Sequence, residues 1–145
     1  MTESAHHDAP NSVLYKSWMH SRCDDVLECI AAVQEGNWRT LAQMAELDSM
    51  RLHGITMSGN RENKTFAWEP ENMTLFRLCN DLRSSGIPVY SSTDTGPTTV
   101  FMTHKDYEKD VLNGITELGL DAIPGRIAGP VVAISPEEAR NEMDE

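Results

Sequence analysis

The residues best suited to chemistry lie in Thr93-Asp94-Thr95-Gly96-Pro97, where one carboxylate stands in a short turn between two β-rich runs, 88–92 and 98–102. A carboxylate held between paired strands can orient a hydroxyl group or accept its proton, which is general-base work. The same residue type in a turn also bonds its own backbone two residues on. The residues alone therefore leave a structural and a catalytic reading of Asp94 open. Thr93, Thr95 and Gly96 line the same turn. Gly96 permits close approach of the backbone to a ligand, and Pro97 stiffens the exit.

Other reactive side chains carry less. His53 falls at the expected end of a helix, where an imidazole caps carbonyls and answers the helix dipole. His6 and His7 are adjacent and lack a third ligand at zinc-like spacing, so no metal site is expected there. Cys23, Cys29 and Cys79 form no Cys-x-x-Cys pair, and their odd number argues against a disulfide framework. All three fall on or beside apolar helical faces and read as buried thiols rather than nucleophiles. The stretch Gly125-Arg126-Ile127-Ala128-Gly129-Pro130 matches neither a Walker loop nor a dinucleotide fingerprint, and reads as a bend entering a last strand. Lys16 and Arg22 are too sparse for a phosphate patch. No Gly-x-Ser-x-Gly sequence or Ser/His/Asp set is present, so covalent catalysis has no support.

The elements that must position Asp94 follow from periodicity. Tyr15, Trp18, Met19, Cys23, Val26, Leu27, Ile30 and Val33 recur at three and four and predict one buried face of a long helix, with Gly36 as its stop. Asn37 suits an N-cap, and Trp38, Leu41, Met44, Ala45, Asp48 and Leu52 trace a second helical stripe, giving two antiparallel helices joined by a tight turn. Residues 65–68 read as a short strand or extended link. Glu69-Pro70-Glu71 opens a third helix that Gly86 closes. Strand, turn and strand follow, then a fourth helix over 105–118 ended by Gly119, then a strand over 126–134. Residues 1–11 are expected to form a flexible tail or the remnant of an interdomain link, 12–134 the folded unit, and 135–145 a charged tail. The order predicts an α+β two-layer sandwich, an antiparallel sheet covered on one face by helices.

At 145 residues the chain is about one domain. Its 12 basic and 23 acidic residues give a net charge of −11, which repels nucleic acid and anionic membrane surfaces unless basic residues cluster, and they do not. No stretch approaches the roughly 20 apolar residues of a membrane span. With the unpaired cysteines, this points to a cytoplasmic protein with neither nucleic acid nor membrane as partner.

Several segments together resemble the C-terminal domain of diphosphomevalonate decarboxylases, in the GHMP kinase superfamily. Ser12-Val13-Leu14-Tyr15-Lys16-Ser17-Trp18 is similar to that domain's Ser-x-x-Tyr/Phe-x-x-Trp opening. Asn37-Trp38 through Leu41, then Glu46, Met50 and Leu52-His53-Gly54, follows its second-helix pattern, with Asp48 in place of Asn and Gly54 in place of Ala. Leu82-Arg83 through Gly86-Ile87-Pro88-Val89-Tyr90 leads into Ser92-Thr93-Asp94-Thr95-Gly96-Pro97 as the family's Asp-x-Gly-Pro turn does, with Thr95 and Thr98 where Ala and Asn are usual.

The resemblance implies a two-domain enzyme that uses ATP and Mg2+ to convert mevalonate 5-diphosphate to isopentenyl diphosphate, phosphate and carbon dioxide. It implies that an N-terminal GHMP kinase-type domain, in cis or in trans, carries the phosphate loop and most contacts to the small-molecule substrate. The C-terminal domain brings its aspartate, here Asp94, to the cleft as the catalytic residue. The expectation is that this chain alone is inactive, binds no cofactor by itself, and can form a homodimer. The competing expectation is a noncatalytic α+β module for dimerisation or small-molecule binding.

Overall fold

Two long helices meet at a turn whose residues, Gly36 and Asn37, end one and cap the other. The computed structural model describes residues 2–133 and 135. Helix α2 spans Tyr15–Gln34 and α3 spans Trp38–Gly59. Gly36 between them takes a φ of +66°, a left-handed conformation that glycine adopts without strain. The Asn37 side chain accepts the Thr40 amide at 3.2 Å, the expected N-cap.

The two helices join through polar side chains. Trp18 Nε1 donates to Asp48 at 2.9 Å, Arg22 pairs with Asp48 at 2.7 Å, and Arg51 pairs with Asp25 at 3.0 Å. The apolar stripe expected to bury α2 instead faces solvent: Val26, Leu27, Ile30 and Val33 are each about half exposed or more, and the buried residue of that helix is Ala32. The physical reason is register. Trp18, Arg22, Asp25, Cys29 and Ala32 repeat at three and four on the face against α3, which turns Met19, Cys23, Val26, Ile30 and Val33 outward. Cys23 is accordingly exposed rather than buried, Cys29 is half-buried, and Cys79 is buried as expected.

Helix α4, Pro70–Ser84, begins with proline at its first position, and the Asn72 side chain accepts the Glu69 amide at 2.7 Å. Strands β1, Val89–Thr93, and β2, Thr99–Thr103, pair antiparallel with Val89 opposite Thr103 and Thr93 opposite Thr99. A 3-10 turn, Lys105–Tyr107, leads into α5, Glu108–Glu117. Cys79, Val89, Val111 and Ile115 form a fully buried cluster between α4, β1 and α5, with Leu75, Leu78, Leu82, Ile87, Phe101 and Leu120 packed around it. Helices and a two-stranded antiparallel sheet make this an α+β fold.

Two expectations change and one narrows. Residues expected as a flexible tail or the remnant of an interdomain link form helix α1, Thr2–Asp8, and a 3-10 turn, Ala9–Asn11. They are tied to the end of α3, where Asn60 donates to Asp8 at 2.8 Å and a Cβ on Gly59 would meet the Asp8 carbonyl. Residues 65–68 form no strand, which leaves the link of the two readings. The last strand is also not formed: described residues 121–133 carry no ladder and are exposed throughout, with Ile123, Ile127 and Val131 almost fully so. Its apolar residues pair with no strand among the described residues. Residues 134 and 136–145 lie outside the described residues.

Candidate active site

The site is built by one face of α3 docking onto β1. Glu46, Ser49 and His53 are spaced by three and four, so they share a face. Ser91 and Thr93 are two apart on a strand and share a face as well. The two rows meet. Glu46 accepts both the Ser91 amide at 2.9 Å and the Ser91 hydroxyl at 3.0 Å, while Arg83 from α4 pairs with its other oxygen at 2.6 Å. Buried Cys79 packs against the same carboxylate and the Val89 carbonyl, and burial pushes its thiol up to about 11 against the opposing pull of Arg83. That thiol stays protonated and unreactive at neutral pH.

One turn of α3 further on, Ser49 Oγ donates to the Thr93 carbonyl at 2.6 Å and accepts the Thr93 amide at 2.9 Å. His53 Nε2 lies 2.7 Å from the Thr93 hydroxyl, and Trp68 Nε1 donates to that hydroxyl at 3.1 Å. The indole of Trp68 lies against the His53 ring at 4.7 Å and meets Phe76 of α4 edge-on at 5.1 Å. Burial lowers the His53 pKa below its ordinary value, opposed by the Thr93 carbonyl and by the negative charge of Asp94. His53 therefore does not cap a helix end as expected: α3 continues to Gly59, and the imidazole is 3% exposed.

Beyond Thr93 the chain leaves the sheet for a single turn, and Asp94 is exposed. Its Oδ1 accepts the Gly96 amide at 2.9 Å, the local bond that aspartate makes in such turns. The far side of the turn is held from α4, where fully buried Asn72 donates to the Pro97 carbonyl at 2.6 Å and to the Thr99 hydroxyl at 2.8 Å. Gly96 does not need a left-handed backbone; a Cβ there would sit 3.6 Å from Asp94 Oδ1, in ordinary contact with the carboxylate. The arrangement is an exposed carboxylate on a turn whose entry and exit are both anchored by buried hydrogen bonds.

The remaining sequence candidates stand elsewhere. His7 bonds the neighbouring Asp8 at 3.1 Å, and Arg126 pairs with Glu108 at 2.9 Å. A shallow polar crevice lined by Asp8, Asn11, Gly59, Asn60, Arg61 and Glu62 does not include Asp94. Ser49, Trp68 and Asn72 were not legible as site residues. The available signal was a row of small and polar residues, Ala42, Glu46, Ser49, His53 and Thr56, at helical spacing on α3.

This hairpin-and-helix arrangement defines a known class. The fold is that of part of a mevalonate diphosphate decarboxylase: the Enterococcus faecalis enzyme matches with a TM-score of 0.73 at 20% identity, over 81% of this chain and 36% of that one. A solved structure with MVAPP, AMPPCP and magnesium bound matches with a TM-score of 0.68 at 22% identity, over 74% of this chain and 32% of that one.

In sequence, the chain is a relative of the decarboxylases of phosphorylated mevalonates, and the resemblance to their C-terminal domain holds. It is 28% identical over 142 residues to the phosphomevalonate decarboxylase of Haloferax volcanii, covering 95% of this chain and 42% of that protein. It is 30% identical over 97 residues to the mevalonate 3,5-bisphosphate decarboxylase of Thermoplasma acidophilum, covering 67% of this chain and 22% of that protein. The chain thus spans less than half the length of each of these relatives. No protein-family model matches it. Among the described residues no helix is long and apolar enough to cross a membrane.

Proposed function

We propose that this chain is the catalytic-aspartate domain of an ATP-dependent decarboxylase acting on a phosphorylated mevalonate, with Asp94 as the reacting carboxylate. The observation that carries the reading is the exposed carboxylate of Asp94 on a turn braced from both sides by buried bonds. A tertiary alcohol is a weak nucleophile, and a carboxylate fixed in place orients it and takes its proton. The Gly96 amide holds Oδ1, which leaves Oδ2 for the substrate hydroxyl. Position matters here, because a displacement of about 1 Å can lower a rate by about 100-fold.

Among the described residues no three His, Cys, Asp or Glu side chains gather to hold a metal, and Asp94 is a single carboxylate. In this reading nucleotide, magnesium and most substrate contacts belong to an N-terminal GHMP kinase-type domain, in cis or in trans, and the isolated chain does not turn over.

The test mixes this chain with such a domain and follows ATP-dependent phosphate and carbon dioxide release from mevalonate 5-phosphate and 5-diphosphate. Asp94→Asn is expected to lower turnover by about 100- to 10,000-fold. Full activity in that variant, or no release from either substrate with a competent partner domain, overturns the reading.

A further inference from the structure

We propose that Ser49 and His53 are positioning residues for Asp94, and that His53 acts as a neutral ring protonated on Nδ1, its Nε2 accepting the hydrogen of the Thr93 hydroxyl. The proposal rests on the reading of Asp94 as the reacting carboxylate.

A count of hydrogens carries it. Trp68 Nε1 can only donate, so the Thr93 hydroxyl oxygen accepts from it at 3.1 Å. The Thr93 carbonyl can only accept, so the single hydrogen of Ser49 Oγ points there across 2.6 Å, while the Ser49 oxygen takes the Thr93 amide. The Thr93 hydroxyl then has one hydrogen left to place. His53 Nε2 is 2.7 Å away, against 3.5 Å for Ser49 Oγ. A hydrogen on Nε2 would instead aim at the Thr93 hydroxyl oxygen, already accepting from Trp68, or at the Thr93 carbonyl 3.4 Å away, already taken by Ser49, and either would send the Thr93 hydrogen toward the longer Ser49 contact. The buried bond is best satisfied with Nε2 bare.

The consequence reaches Asp94 through the backbone. The Thr93 carbonyl belongs to the peptide plane that carries Asp94, and Ser49 pins it. The amide, carbonyl and hydroxyl of Thr93 are all held by α3 or by Trp68, so the chain enters the turn with its direction fixed. Around the imidazole stand Thr93 and Asp94 from the sheet end and Trp68 from the link, and Asp94 is the charged group acting on it. Protonating Nε2 would reverse the Thr93 hydroxyl and disturb the step into Asp94.

Long-range 1H–15N spectra of the 15N-labelled chain read the tautomer directly. The expected result is a protonated Nδ1 and a bare Nε2 for His53 at neutral pH, persisting below its ordinary value of 6.5. A protonated Nε2 at neutral pH overturns the proposal. The Gly96 amide, bonded to Asp94 Oδ1, reports the carboxylate. Its resonance should move in Thr93→Val and hold in Thr93→Ser. It should also move in His53→Leu and hold in His53→Gln, which restores an acceptor, so the idea survives one variant failing to fold. An unmoved Gly96 resonance in folded His53→Leu sinks it.

In the reconstituted phosphate-release assay, His53→Leu should lower kcat by roughly 10- to 100-fold at unchanged nucleotide KM, with His53→Gln recovering most of the loss. Native kcat in His53→Leu, with Asp94→Asn inactive, refutes the positioning role alone. An active Asp94→Asn refutes the functional reading, and the tautomer result then decides the hydrogen-bonding claim by itself.

Discussion

The two long helices are alike in length and unlike in what they do. Helix α3 contributes Ala42, Ser49, His53, Ile55, Thr56 and Gly59 to the interior, whereas α2 contributes Ala32. On α3 the buried row includes the polar side chains that grip β1, and on α2 the row against α3 is a set of ion pairs and an indole bond. The most apolar stripe of α2, by contrast, stays in solvent. In this chain directional polar contacts set where elements dock, and apolar burial is concentrated between α4, α5 and the sheet. Such contacts suit a site, because hydrogen bonds fix position and angle where apolar contact tolerates sliding.

That contrast can be broken at α3 first. Replacing Glu46 with Ala leaves the Arg83 charge half-buried and the Ser91 amide without its acceptor. It should lower unfolding free energy by about 2–4 kcal/mol in urea denaturation. A loss under about 0.5 kcal/mol would mean that the α3–β1 joint is not held by this carboxylate.

The second effect is pH. His53 binds its proton less tightly in the folded chain than its ordinary value of 6.5 implies, because it is buried. Below that value the unfolded chain takes up more protons, so the contribution of His53 to stability is fully present above pH 6.5 and is lost as pH falls through the lowered folded value. Melting temperature should therefore decline on acidification below that point, and His53→Gln should flatten the decline. An equal slope in both proteins excludes His53 as its source.

The smallest effect belongs to α2. Ile30→Ser, on the exposed stripe, should change stability by no more than about 0.5 kcal/mol. A larger loss, growing with protein concentration, would show that this face is covered in solution.

Much of the architecture was readable from residues with fixed backbone roles. Gly36, Gly86 and Gly119 take left-handed conformations at the ends of their helices, and Asn37 and Pro70 open the next ones. The two strands and the turn lie within a residue of where β-propensity put them. Faces were harder. Periodicity says that a helix has an apolar side but not what lies opposite, so it points the α2 stripe, and Cys23 with it, inward where the fold leaves both exposed. Ser49 and Asn72 are silent in the sequence because a serine or asparagine inside a helix gives no signal until a strand edge and a turn carbonyl come to meet it. The strand expected over 126–134 has suitable residues and, among the described residues, no partner.

The hairpin that carries Asp94 is only two strands wide among the described residues, and an isolated pair of strands is barely stable in water. Its order comes from Ser49, His53, Asn72 and Glu46, all on helices. The Asp94 carboxyl group consequently has no separate melting event: it stays aimed while the helical scaffold stands and goes slack in the same cooperative step that releases α3.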